Sequence, residues 1–200
     1  MSIAIRTARA EDAGAIAEIY RPYVERTAIT FDYEAPSAAD FADRISRIEE
    51  RFPFLVAEEE RRVVAYAYAS AFKDRAAYDR SVELSVYCAM GERGRGAGSA
   101  LCAALEDVLA RQGVLNVNAC IAFPASPDEY LDEASVCFHE ARGYSMVGAF
   151  HSCGYKFGRW YDMVWMEKAL GEHGPEPAAF VPFPLLPVDE VEAAIMVTRR

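Results

Sequence analysis

No stretch of the 200-residue chain reaches about 18 consecutive apolar residues, so nothing in it reads as a membrane-crossing helix. Met1 to Arg9 is not a signal peptide, and the expectation is a soluble, cytoplasmic protein. Positive charge is scarce: 21 Lys and Arg stand against 31 Asp and Glu, for a net charge of −10. That balance argues against nucleic acid as a main partner. The five cysteines are odd in number and form no C-x-x-C pair, and the three histidines are scattered. A disulfide framework and a structural zinc are therefore not expected, and no metal is assigned; the cysteines read as free buried thiols in a reducing compartment. No Gly-Lys-Ser/Thr follows a glycine loop, which excludes a P-loop, and there is no internal repeat. What remains is an ordinary globular composition, 52% hydrophobic and 26% charged, long enough to bury a sizeable core.

The chain is organised around Ser81 to Gln112. Val82, Leu84 and Val86 alternate with Ser81, Glu83, Ser85 and Tyr87, a period of two that predicts a strand over Ser81–Ala89. Leu101, Ala104, Leu105, Val108 and Leu109 then recur at helical spacing, and Gly113 stands where a helix-ending glycine belongs. Between them lies a turn carrying Gly94, Gly96 and Gly98. Glycine lets a backbone approach a ligand closely, and a helix start offers free N–H groups and a positive dipole end. With Arg93 and Arg95 as added donors, the turn suits a pyrophosphate. A dinucleotide fingerprint fits less well, because Asn116 and Asn118 stand where it needs an acid.

Taken in order, Ile3–Ala8 reads as a strand and Glu11–Val24 as an amphipathic helix that Pro22 ends or kinks. Ser37-x-x-Asp40 resembles a capping box opening a helix to Arg51. Phe54–Glu58 and Val63–Ser70 read as strands. The charges of Glu59-Glu60-Arg61-Arg62 between them read as solvated. A loop, Ala71–Arg80, feeds the central strand. Val114–Ile121 is a strand, Ala134–Arg142 a helix ended by Gly143, and Tyr144–His151 and Trp160–Lys168 two strands joined by residues 152–159. The order β-α-α-β-β-β-α-β-α-β-β predicts an α/β fold with a mixed sheet. Residues 1–170 form one domain. From Gly171 five prolines are expected to break any regular element, so 171–200 reads as a Pro-rich C-terminal extension that packs on the body or on a second subunit.

Arg93-x-x-Gly96-x-Gly98, between a strand and a long helix, resembles the acetyl-CoA loop of the GNAT superfamily of N-acetyltransferases, and the element order is theirs. Several stretches look like the phosphinothricin N-acetyltransferase subgroup, which includes methionine sulfone and sulfoximine acetyltransferases. They are TFDYE (Thr30–Glu34), FPFLVAE (Phe52–Glu58), AAYDRSVELSVY (Ala76–Tyr87), RGRGAGSAL (Arg93–Leu101), FHEARGY (Phe138–Tyr144) and GYKFGRWYDMVWME (Gly154–Glu167). The resemblance implies a GNAT fold, a central twisted mixed sheet flanked by helices. It also implies acetyl-CoA as co-substrate, a small-molecule amine as acceptor, direct transfer in a ternary complex, and a homodimer.

Residue by residue, the resemblance makes Glu83 the general base. Backbone of Val86, Tyr87 and Cys88 would meet the thioester. Arg93, Gly94, Arg95, Gly96, Ala97, Gly98, Ser99 and Ser135 would surround the cofactor. His139 and Tyr144 are candidates to protonate the leaving thiolate. Phe31, Arg75 and Tyr78 would line the acceptor pocket, Arg75 on a carboxylate; Phe31 serves equally as a core plug. Lys156, Trp160 and Asp162 read as structural, as does the Cys88 thiol. The chain departs from the subgroup at Phe123–Ser135, where a longer acidic segment replaces a short Asn-containing turn. Its four acids leave a cationic acceptor open as an alternative: a polyamine, an antibiotic or a protein amine. A non-catalytic acyl-CoA-binding protein is the other class.

Overall fold

The computed structural model describes residues 3–197. The outer ends of the two segments read from sequence, residues 1–2 and 198–200, lie outside the described residues. Seven strands form one sheet: β1 (Ala4–Thr7), β2 (Phe54–Glu59), β3 (Arg62–Ala71), β4 (Ser81–Cys88), β5 (Asn116–Phe123), β6 (Ser145–Lys156) and β7 (Arg159–Ala169), in the spatial order β1-β2-β3-β4-β5-β7-β6. Only β4 and β5 run parallel; every other pair is antiparallel. The helices are α1 (Ala13–Arg26), α2 (Ala38–Glu49), α3 (Ala97–Arg111), α4 (Ala134–Glu140) and α5 (Val188–Val197). The mixed sheet and the element order expected from sequence are both present, with α5 added.

Each face of the sheet takes one apolar layer. Leu101, Leu105 and Leu109 of α3 pack against Val82, Leu84 and Val117 on one side. Ile16, Tyr20 and Phe41 of α1 and α2 pack against Phe54, Val56 and Tyr66 on the other. The Ser37–Asp40 capping box forms as expected, with Asp40 N–H on Ser37 Oγ and Ser37 N–H on Asp40 Oδ2. Pro22, in contrast, does not end α1, which continues to Arg26. An interior proline costs about 3 kcal/mol. Burial of Tyr23 and Val24 beyond it, each contributing roughly 1.5–3 kcal/mol, offsets that cost.

The tail also differs from the sequence reading. All five of its prolines precede Val188, so they restrict only the approach to α5, whose first turn follows Pro187. Leu186, Val191 and Ala194 lie on Val108 of α3. The buried Gln112 side chain ties the tail down, donating Nε2–H to Arg51 O at 2.7 Å and to Val181 O at 2.9 Å. The cysteines are all free thiols, but only Cys102 is fully buried and Cys88 half-buried. Cys120, Cys137 and Cys153 are exposed, contrary to the sequence reading. The hairpin joining β6 to β7 turns at Phe157-Gly158, so β6 extends well past His151 through a bulge after Phe150.

Candidate active site

The site begins with a break in the sheet. β4 pairs with β5 only over Ser81–Glu83, opposite Asn116–Asn118, although both strands continue for several residues. Along β4, Phe72 N–H reaches Ser81 O at 3.3 Å and Ala89 N–H reaches Val64 O at 2.8 Å. These bonds fix the alternation: odd-numbered residues of β4 exchange hydrogen bonds with β3, and even-numbered ones present theirs toward β5. Past the break, the backbones of Val86 and Cys88 therefore face an open edge. The Cys88 carbonyl is taken by the Tyr23 hydroxyl at 2.6 Å, while the Val86 N–H lies beyond the last β4–β5 pair and has no partner on β5 among the described residues. The backbone of Tyr87, assigned from sequence to the same role, instead bonds to Tyr66 on β3, and its ring packs with Tyr20 and Tyr23 on the α1 face.

Beside this edge, α3 begins without a side-chain cap. Gly96 holds φ at +90°, a left-handed conformation that side chains rarely adopt, and turns the chain into the helix. Ala100 N–H makes the first intrahelical bond, to Gly96 O. The earlier N–H groups of Ala97, Gly98 and Ser99 have no intrahelical acceptor. Gly98 sits so close to β4 that a Cβ there would stand 3.2 Å from Cys88 Sγ.

A cavity of about 380 Å³ opens at this corner. Val86, Tyr87, Cys88, Arg93, Gly94, Gly96, Ala97, Gly98, Ser99, Ser135 and His139, all assigned from sequence, are in its wall. A smaller recess continues into the break between the strands, lined by Leu84, Ser85, Ala119, Cys120 and Ile121, and shares Ile29, Val86, Tyr87, Ser135 and His139 with the main cavity. Glu83 lies one residue before this recess, on the same strand face as Ser85 and Tyr87. Burial raises its pKa above the usual carboxylate value, and Lys73 offsets only part of that. Glu83 stands opposite Asn118 on β5, and Cys120, two residues farther along that strand, lines the recess.

His139 is buried, with Nδ1 2.8 Å from the Ser135 carbonyl and Nε2 without a hydrogen-bond partner among the described residues. A carbonyl only accepts, so Nδ1 carries the hydrogen and Nε2 presents a lone pair. Burial also lowers the imidazole pKa, which keeps the ring neutral near pH 7.

Five assigned side chains stand elsewhere. Arg95 turns away from the cavity and pairs with Glu59 at 3.0 Å and with Glu92. Glu59 is correspondingly 8% exposed, and Arg62 pairs with Glu92 at 2.6 Å; the β2–β3 turn thus braces the glycine loop rather than presenting only solvated charge. Tyr144 donates its hydroxyl to Glu106 at 3.1 Å, in a buried group completed by Arg142 and Lys168, and does not line the cavity. Phe31 packs on Gly154 and Tyr161, its core-plug reading. Arg75 is exposed and Tyr78 rests on Phe72, neither in the cavity wall. Tyr23, Ile29, Glu92, Ala134 and Phe138 line the cavity without having been singled out. Tyr23 repeats at helical spacing and reads as core, and nothing local marks the others.

A helix end suited to phosphate and a strand edge suited to a carbonyl meet in one cavity. That pairing places the chain among enzymes that move an acyl group from a phosphate-bearing carrier. It belongs to the acetyltransferase (GNAT) domain family, whose model matches residues 5–165. The chain is 34% identical over 189 residues to the phosphinothricin N-acetyltransferase of Streptomyces viridochromogenes, covering 94% of this chain and 96% of that one. It is 32% identical over 178 residues to the L-methionine sulfoximine/L-methionine sulfone acetyltransferase of Salmonella typhimurium, covering 87% and 98%. The crystal structure of a GNAT superfamily phosphinothricin acetyltransferase from Sinorhizobium meliloti in complex with AcCoA is similar at a TM-score of 0.81. It shares 35% sequence identity, with 92% of this chain and 97% of that one covered.

Proposed function

We propose that the protein transfers the acetyl group of acetyl-CoA directly to the primary amine of a small amino acid or analogue, of the phosphinothricin or methionine sulfone type. The observation that carries this is the cavity at the uncapped α3 terminus and the recess that continues it into the break between β4 and β5, whose β4 wall begins at Leu84, the residue after Glu83. The relatives named for such substrates support the acceptor class. Acetyl-CoA, when bound, supplies an activated acyl thioester. The chain supplies the rest. N–H groups of the Gly94–Ser99 loop and the Arg93 side chain hold phosphate oxygens. Val86 N–H stabilises negative charge developing on the carbonyl oxygen. Glu83 takes the proton from the amine; its raised pKa narrows the gap it must work across. His139 Nε2 takes the second proton, shed by the attacking nitrogen after it bonds to the carbonyl carbon, and passes it to the leaving sulfur, so it acts as a relay rather than as a standing acid.

A cationic acceptor draws less support from the structure than from the sequence. Of the four acids in the 125–133 segment, Asp128 and Glu129 are paired with Arg159, and Asp132 accepts the Ala134 N–H at the start of α4. The chemistry is assigned to residues 1–170, because every residue lining the cavity at the α3 terminus falls between Tyr23 and His139; the described part of the 171–200 extension packs on α3. The enzyme is further proposed to be a cytoplasmic homodimer. The outer strand β6 leaves Met146, Val147, Phe150 and Tyr155 exposed beside Trp160, an apolar edge suited to a second copy. Sedimentation as a monomer would refute the dimer. The functional test is acetyl-CoA with phosphinothricin, methionine sulfone, methionine sulfoximine, spermidine and a basic peptide, with product read by mass spectrometry because the free thiols confound thiol-release assays. Acetylation of the amino-acid analogues is expected; turnover of spermidine or peptide alone would reject the acceptor class.

A further inference from the structure

The ion pairs that hold the 125–133 segment all converge on Arg159, at the tip of the β6–β7 hairpin. Its Nη1 is 2.8 Å from Asp128 Oδ2, and it grips Glu129 with both terminal nitrogens, at 2.8 and 2.9 Å. The guanidinium lies over the Tyr130 ring, 5.3 Å from its centroid. Asp128 in turn organises the segment. Its Oδ1 accepts the N–H groups of Tyr130 and Leu131 at 2.8 and 2.9 Å, and Oδ2 accepts the Tyr161 hydroxyl at 2.9 Å. Burial pushes the Asp128 carboxyl up, but Arg159 and these donors win and hold it at about 2, so the charge persists at every working pH.

Both ends of this arrangement reach the cavity. The Tyr130 carbonyl accepts the Ala28 N–H at 3.0 Å, next to the cavity-lining Ile29. In the other direction the segment passes into α4, whose first turn carries Ser135 and whose body carries His139. Ile29, Ser135 and His139 are the residues outside β4 that line both the main cavity and the recess between β4 and β5.

We propose that Arg159 is a positioning residue for the transfer: by clamping Asp128 and Glu129 it fixes Ile29 and α4 on either side of the passage. It touches no reacting atom, and the assignment rests on the acetyl-transfer reading above. Arginine is required because one planar fork serves two carboxylates, which a lysine ammonium does not reproduce.

The test uses Arg159→Ala, Arg159→Lys and Asp128→Asn in the full chain, with amide hydrogen exchange, acceptor KM and acetyl-CoA affinity as readouts. Arg159→Ala is expected to speed exchange over 128–135 and 28–31 while β2 to β5 keep their protection. It should raise acceptor KM about tenfold, the cost of a slightly misplaced wall, with the lysine variant recovering part of the loss. Should Arg159→Ala fail to fold, Asp128→Asn keeps the arginine and gives the same readings. Unchanged exchange overturns the clamp. Faster exchange with unchanged acceptor KM overturns the positioning role and leaves a structural tie. Wild-type protein that acetylates no amine defeats the underlying functional reading instead, a result the exchange data do not share.

Discussion

Gly154 faces Phe31 at a distance no side chain tolerates. A Cβ built on it would stand 2.3, 2.4 and 2.7 Å from three carbons of the phenyl ring. The ring cannot simply retreat, because its loop is pinned to the same hairpin: buried Lys156 donates from Nζ to Thr30 O at 2.7 Å, and the Tyr33 hydroxyl donates to Tyr155 O. Gly154→Ala therefore forces overpacking of the kind that costs about 1–3 kcal/mol. Taking about 2 kcal/mol, a chain of this size should lose roughly 4–8 °C in Tm. The double-mutant cycle sharpens the test. Gly154 does not hold a positive φ, so its backbone accepts alanine. With Phe31 already reduced to alanine, Gly154→Ala should become neutral or stabilising by about 0.5 kcal/mol, through lower entropy of the unfolded chain. The sign change, read by thermal melts of all four proteins, implies a coupling of roughly 2 kcal/mol. Additive effects, or a Gly154→Ala melt equal to wild type, would refute the packing argument.

Other consequences follow from the same structure. Glu83→Gln should keep acetyl-CoA affinity in calorimetry while turnover falls by about 10²–10⁴; normal turnover would remove Glu83 as the base. Because Glu83 titrates above an ordinary carboxylate, kcat/KM should rise with pH through that raised value, and the variant should lack this limb. Gly96→Trp places an indole on a left-handed backbone at the mouth of the glycine loop, and undiminished acetyl-CoA binding by it would reject the phosphate site. Glu49 lines a second cavity, of about 520 Å³, between β1 and the tail, and burial together with Asp12 pushes its pKa up to about 7 from 4.5. Its neutral form suits the folded state, so its contribution is full below pH 4.5 and lost as pH rises to 7. Glu49→Gln should therefore stabilise the protein at pH 8, by about 1 kcal/mol after discounting for its remaining solvent contact, and not at pH 4.

The parts of the site that sequence displayed were those with a local cause. Alternation from Val82 to Val86, glycines at 94, 96 and 98, and a helical period from Leu101 specify strand, turn and helix within a single span of chain. What escaped depends on partners far along the chain. Arg95 carries the charge a phosphate wants, yet Glu59, 36 residues earlier, claims it, and no short-range pattern announces that pairing. Tyr144 stands in a stretch resembling catalytic neighbours, yet Glu106 on α3 receives its hydroxyl. No local pattern marks the break between β4 and β5, because each strand keeps its own period whether or not the other stays beside it; the family resemblance alone put an open strand edge at Val86–Cys88. The prolines after Gly171 misled for another reason: a proline restricts its own position and the residue before it, and α5 begins just past the last of them.

The run GYKFGRWYD, the string most characteristic of the subgroup in this sequence, carries no reacting group in the structure. Its alternate residues divide the work instead. Gly154, Lys156 and Tyr161 face inward and hold Phe31, Thr30 and Asp128. Tyr155 and Trp160 point outward, with their rings 5.0 Å apart on the exposed edge. Arg159, between these sets, fastens the acidic segment. One hairpin thus suspends both loops that flank the passage, so a change in the hairpin moves both at once. The pairing also alters what the acids mean. Asp128 and Glu129 share one guanidinium, which offsets one of the segment's four negative charges, and Asp132 accepts an N–H at a helix start, so three of the four carboxylates are tied to structural partners.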